Sequence, residues 1–232
     1  MASSTRPPKP IRPPTGPIAE LFRSAQRMAF SKGEIILRPD DGPPGIFYIE
    51  AGYVKIFSIN DRGEEYVHII YGPGEIFPLI WTMAQQQRSV FYKAITSCTL
   101  LHAFGKTFLQ DIKQKPEQCF AVLEQVTKQF NIYTHRVDNL EYKYGRERLV
   151  YRLLFLASRF GEHQNGSVVL PPITQQDIAG SINLSRESAS REIERLERQG
   201  LVSYNGRSMI LTDVEALSKE IKGVDLARWG LH

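Results

Sequence analysis

ITQQDIAGSINLSRESASREIERLERQGLVSYNGRSMIL, residues Ile173–Leu211, reads as two short helices joined by a tight turn and followed by a β-hairpin. Thr174 and Asp177 have the spacing of a capping pair, which starts the first helix there. Ile178 and Ile182 give that helix an inner face, and Asn183 falls where the chain must turn. Such turns need a positive φ, which Asn tolerates better than most residues. Ser185 is placed to cap the second helix, and Ala189, Ile193 and Leu196 recur at three to four residues to anchor it. Its other face keeps Arg186, Glu187, Ser190 and Arg191. An Arg fork takes guanine O6 and N7, and Glu accepts from cytosine N4, so this face is equipped to read a DNA major groove. After Gly200 two short β runs flank Asn205-Gly206, a hairpin signal, with Arg207 beside the tip for a phosphate. The plainer alternative is a solvated helix laced by Glu187–Arg191 and Glu194–Arg198 pairs at i, i+4 spacing.

The segments SRESASR (185–191) and ERLERQGLV (194–202) resemble the recognition helix of the Crp/Fnr superfamily of bacterial transcription regulators. The Arg-Glu-x-x-x-Arg spacing is similar to its cyclic-AMP-responsive branch, and the resemblance places Arg186, Glu187 and Arg191 on that branch's base-reading positions. Asn183 departs from the Gly usual at the turn, a change the backbone argument absorbs. The candidate DNA contacts are Thr174, Gln175, Ser185, Arg186, Glu187, Ser188, Ser190, Arg191 and Arg207.

Global charge is a weak guide to that partner. The first 17 residues hold Arg6, Lys9 and Arg12 with no acid, whereas residues 18–144 balance 14 basic against 14 acidic side chains. Residues 145–232 hold 12 basic and 11 acidic, so DNA affinity must come from local placement of Arg. The Pro-rich tail, residues 1–17, lacks the apolar core of a signal peptide and reads as disordered. No run approaches the roughly 18 apolar residues of a membrane span, and a cytoplasmic location is the default. Cys98 and Cys119 are too few and too isolated for an iron–sulfur cluster or zinc site. His68, His102, His135 and His163 are scattered singly, which argues against a metal-bearing cupin enzyme, and no nucleophile–base pairing stands out.

From Phe30 to Phe104 short β runs alternate with Gly and Pro: Glu34–Arg38, Gly45–Glu50, Tyr53–Asn60, Glu65–Tyr71, Val90–Ala94 and Thr99–Ala103. Many short strands at regular spacing suggest a small closed roll. FSKGEII (30–36), FYIEAGYVKIF (47–57) and GPGEIF (72–77) resemble the successive signatures of the family's cyclic-nucleotide-binding roll. The expected class is therefore α+β: a β-roll effector domain (18–115), a dimerisation helix and hinge (116–143) and a winged helix-turn-helix domain (144–232).

In nucleotide-binding members the stretch matching Gly74–Ser89 forms a phosphate cassette, with a Glu for the ribose and an Arg-Ser pair for the phosphate. Arg88 and Ser89 match the pair, an arrangement suited to a phosphate. Pro78 and Leu79 stand where the Gly-Glu step belongs, and Leu cannot accept from a sugar hydroxyl. The resemblance also puts Tyr133 and Thr134 at the positions that touch the base, with Tyr133 bulkier than expected. Cyclic AMP is thus disfavoured, and an unidentified effector or none fits as well.

Pro116 is placed to open a helix in which Cys119, Leu123, Val126, Phe130, Tyr133, Val137 and Leu140 recur at alternating spacings of four and three. That is a heptad seam for a parallel homodimer, with a helix packed on its own roll as the alternative. The resemblance implies the same dimer and, beyond DNA, RNA polymerase as a partner. A ligand-binding module whose winged helix contacts protein instead of DNA is the reading from another class.

Overall fold

The computed structural model describes residues 14–39, 41–42, 45–86, 88–164 and 166–231. Most of the Pro-rich stretch lies outside them, and from Gly16, still inside the segment read as tail, the chain is helical. In order it forms α1 (Gly16–Leu21), β1 (Gln26–Phe30), β2 (Ile35–Leu37), β3 (Ile46–Ala51), β4 (Val54–Ile59), β5 (Glu65–Tyr71) and β6 (Ile76–Phe77). There follow α2 (Leu79–Ala84), β7 (Phe91–Ala94), β8 (Cys98–Ala103), α3 (Gly105–Gln114), α4 (Pro116–Glu141) and α5 (Gly145–Phe160). The last elements are β9 (Glu162–Gln164), β10 (Ser167–Val169), α6 (Gln175–Ser181), α7 (Arg186–Arg198), β11 (Val202–Asn205), β12 (Ser208–Leu211) and α8 (Val214–Ser218). Two compact units result: the chain up to Ile59 with His68–Ile132, and Asn60–Val67 with the chain from Tyr133.

The first unit holds two four-stranded sheets, β1-β8-β3-β6 and β2-β7-β4-β5. Every residue of β3 is buried, so its sequence shows no alternation, and its one charge, Glu50, is paired with Arg27 at 2.6 Å. The β3–β4 turn depends on Gly52, at φ 88°, where a Cβ would stand 2.4 Å from the Ser97 carbonyl oxygen. The strand reading missed β1, whose QRMAF sequence is mostly exposed, and β6, which is only two residues long. It also assigned no helix to the cassette region, where α2 stands, or to α3.

Within this unit α4 turns Gln125 and Gln129 inward. Gln125 Nε2 donates to the Gly74 carbonyl (3.2 Å) and Gln129 Nε2 to the Ile76 carbonyl (2.7 Å), while Gln129 Oε1 accepts from the Tyr71 hydroxyl (3.2 Å). The outward row of the same helix is apolar and uncovered, with Phe120 65%, Leu123 55% and Phe130 68% exposed. Val137 and Leu140 continue an exposed row on the part of α4 that belongs to the second unit.

The second unit is built around α5, which is buried from Leu149 to Ala157. Helices α6, α7 and α8 pack on it, and the wing is wider than a hairpin, with sheet order β11-β12-β10-β9. Arg136 of α4 donates to the carbonyls of Val67 (2.6 Å) and Ser181 (2.8 Å), tying the Asn60–Val67 segment to α6. At Gly180 that segment approaches so closely that a Cβ would lie 2.5 Å from the Glu65 carbonyl oxygen. Farther along α5, Arg152 is 6% exposed, and its Nε and Nη2 lack acceptors. Burial, aided by the like charges of Arg159 and Arg136, holds this guanidinium well below its ordinary pKa.

Candidate nucleic-acid interface

The second unit brings the expected DNA-contact residues together on α6, α7 and the wing. At the start of α6 the Thr174 hydroxyl accepts from the Asp177 backbone N–H (3.1 Å), and the Asp177 carboxylate takes the Thr174 N–H (3.3 Å) and hydroxyl (2.6 Å). Two otherwise unpaired donors of the helix end are satisfied in this way. Asn183 adopts φ 53°, the left-handed conformation that its place in the turn demands. Ser185 then caps α7 by accepting from the Ser188 N–H at 3.1 Å. Ala189, Ile193 and Leu196 are fully buried, which fixes the rotation of α7 and leaves Arg186, Glu187 and Arg191 in solvent.

Ion pairing does not explain the polar face. Neither Glu187–Arg191 nor Glu194–Arg198 pairs among the described residues; within α7 Arg195 pairs with Glu192 at 2.7 Å, three residues apart, and Glu192 also meets Arg146 of α5 at 3.8 Å. Arg191 instead reaches the Ser188 hydroxyl (3.4 Å), and Ser190 donates to Glu194 (3.3 Å). Arg186 and Glu187 have no side-chain partner there. Between the start of α5 and α7 lies a cleft of about 530 Å³ lined by Tyr144, Arg146, Ser188, Arg191, Glu192 and Arg195. Arg146 is already held by Glu220 (2.9 Å) and Gln199 (2.5 Å), so Arg191 is the freer charge at its edge.

The wing turn is displaced by one residue from the Asn-Gly reading. Asn205 pairs with Ser208, which leaves Gly206 and Arg207 as the loop and puts Arg207 at the tip itself. Only Gly206 has positive φ (61°), as in hairpins that need Gly at the first loop position alone. Tyr204, absent from the sequence expectations, accepts a hydrogen bond from Gln175 (3.1 Å); an aromatic residue bordering the turn was its only signal.

The five proposed effector residues are distributed over both units. Leu79 is 3% exposed and belongs to the core cluster of Tyr48, Phe108 and Val122. Arg88 is half-buried and Ser89 exposed, while Tyr133 and Thr134 belong to the second unit. The interior of the roll is occupied by its own rings. Phe77, with no exposed surface, stacks on Phe47 (5.3 Å), Tyr92 (5.3 Å) and Tyr71 (5.8 Å) at interplanar angles of 14–15°. No group of three His, Cys, Asp or Glu suited to a metal occurs among the described residues, and none of their helices is long and apolar enough to cross a membrane.

Comparison with known proteins places both parts. Residues 147–220 match the Crp-like helix-turn-helix domain, and residues 27–115 match the cyclic nucleotide-binding domain. The cAMP-activated global transcriptional regulator CRP of Salmonella typhimurium is 23% identical over 202 residues, covering 86% of this chain and 96% of that protein. The CRP-like cAMP-activated global transcriptional regulator of Mycobacterium tuberculosis is 24% identical over 208 residues, covering 88% and 92%. The structure of FixK2 from Bradyrhizobium japonicum shares the fold, with a TM-score of 0.75 at 18% identity over 87% of this chain and 99% of that one.

The division of labour on α7 is measurable. Ser185→Ala should lower unfolding free energy by about 1 kcal/mol through loss of the cap. Arg186→Ala should stay within about 0.5 kcal/mol of wild type, because that side chain supports nothing in the fold. Chemical denaturation of the two variants checks both values.

Proposed function

Because the chain belongs to the Crp/Fnr family of transcription regulators and carries its helix-turn-helix DNA-binding domain, we propose that it reads a pseudo-palindromic operator as a homodimer. The observation that carries this reading is the capped α7 helix, whose inner face is locked while Arg186, Glu187 and Arg191 stay exposed and, among the described residues, outside any ion pair, with Arg191 held only by the Ser188 hydroxyl. Arg186 and Arg191 suit guanines and Glu187 a cytosine; the resemblance of these three residues to the family's base-reading positions implies a half-site like GTGA. Gln175, Ser188, Ser190 and Arg207 supply positioning contacts around it, while Thr174 is committed to the α6 cap. Two α7 helices about one helical turn apart, roughly 34 Å, would engage successive major grooves. The uncovered apolar row of α4, through Leu123, Val126, Phe130, Val137 and Leu140 with Tyr133 beside it, supports the dimer.

The proposed regulator needs no cyclic nucleotide. The rings of Phe47, Tyr71, Phe77 and Tyr92 fill the interior of the roll, and Leu79 lies in a core instead of offering a carboxylate. RNA polymerase is the further partner that this role implies, and the cytoplasm its location.

Three measurements test the proposal. In a binding-site selection, Arg191→Ala should relax preference at one G·C pair per half-site, a loss of about 1–3 kcal/mol of discrimination. Unchanged selectivity would remove Arg191 from the base-reading set. Phe130→Asp should yield a folded monomer in sedimentation equilibrium and weaken operator binding at least roughly tenfold, since each half-site then binds alone. Cyclic AMP should leave the melting temperature unchanged, because a ligand stabilises only the state it binds; a saturable rise would refute the filled-roll reading.

A further inference from the structure

We infer that Tyr204 and Gln175 form a clip for a single DNA backbone phosphate, bridging the wing and the first turn of α6. The inference rests on the DNA-binding role proposed above and adds Tyr204 to the contacts outside the recognition helix, coupled to Gln175. Tyr204 sits on β11 opposite Met209 of β12, and Gln175 is the first residue of α6. Gln175 Nε2 donates to the Tyr204 hydroxyl oxygen at 3.1 Å.

That bond fixes where the remaining hydrogens go. A phenol has one proton and accepts through its lone pairs, so a hydroxyl that receives the amide N–H must direct its own proton elsewhere. Among the described residues no acceptor takes it, and the second Gln175 amide hydrogen is equally unused. Burial raises the Tyr204 pKa, the Gln175 hydrogen bond opposes that shift, and the nearby Glu197 charge adds to it, so the hydroxyl remains a donor at neutral pH. Thr174, the neighbour of Gln175, is already committed to the Asp177 cap in both directions.

Two neutral donors side by side match the two free oxygens of a phosphodiester better than a base edge, which offers a mixed pattern. Arg207 at the wing tip, three residues from Tyr204, supplies the attraction that neutral groups lack. The pair is already ordered by its internal bond, so little side-chain freedom is lost on contact. Tyr204 also holds Gln175 in place, which makes the two substitutions interdependent.

The test uses the full chain and a fluorescent duplex bearing the selected half-sites. Tyr204→Phe keeps the ring and removes the hydroxyl. Affinity should fall about tenfold for every sequence, with base preference unchanged. The salt slope should also stay unchanged, since no charge is removed, whereas Arg207→Ala should lower it by about one. Neutral methylphosphonates introduced one position at a time should reveal a position where wild type loses affinity and Tyr204→Phe loses nothing further. Gln175→Ala should lose as much as Tyr204→Phe, the double variant should lose no more than either, and this arm decides the matter if Tyr204→Phe lowers the melting temperature. Salt-dependent wild-type binding with Tyr204→Phe within about twofold, or with identical methylphosphonate penalties in both proteins, overturns the clip and leaves the DNA reading standing. Absence of salt-dependent wild-type binding to any duplex overturns both.

Discussion

The hydrogen bonds from two glutamines of α4 to the backbone beside the β5–β6 turn set how that helix divides its faces. The carbonyls of Gly74 and Ile76 receive Gln125 and Gln129, and the Tyr71 hydroxyl closes the second contact. A buried acceptor left without a donor costs about 1–3 kcal/mol, so rotating α4 to bury its other side would forfeit both contacts. Phe120, Leu123 and Phe130 are consequently directed away from the roll that would otherwise cover them. Contiguous apolar rows of this kind commonly mark interaction surfaces, and the proposed homodimer would cover this one. Polar satisfaction on one face thus produces an unmet apolar demand on the other.

The roll builds part of its interior from stacked aromatic rings. A core packs close to the density of an organic crystal, so the four rings hold one another in place. Phe77 is the central member, touching rings contributed by β3, β5 and β7. Leu79 joins Tyr48, Phe108 and Val122 in an apolar cluster. A carboxylate in its place would stand among apolar side chains as a buried charge.

Legibility in the sequence followed the range of the forces involved. Capping and turn chemistry are local, so the Thr174–Asp177 box, the Ser185 cap and the left-handed Asn183 could all be read from neighbouring residues. Strand β5 has the extent its pattern suggested, because its flanking turns are sharp. Strands β1 and β6 were not legible: β1 is an exposed strand held by its pairing with β8, and β6 is too short to show periodicity. The alternative Glu187–Arg191 pair is not formed, for a different reason. Spacing permits an ion pair, but in solvent the gain is small, and Ser188 competes for Arg191 at 3.4 Å. The Gln175–Tyr204 bond joins residues 29 apart and had no sequence signal beyond the aromatic residue itself.

Unused hydrogen-bonding capacity occurs at two depths in the second unit, with opposite consequences. On α7, Arg186 and Glu187 are hydrated, so leaving them unpaired costs the fold almost nothing and keeps them available for a groove. Inside α5, the Nε and Nη2 donors of Arg152 are buried without acceptors while Arg136 and Arg159 lie close enough to depress its pKa. Donors in that position cost stability and hold no water-mediated reserve for a partner. The proposed recognition surface is therefore made of side chains the fold can do without. Arg152 is the contrasting case, a buried charge whose guanidinium lies over the Phe155 ring at 5.9 Å while two of its donors stay without acceptors.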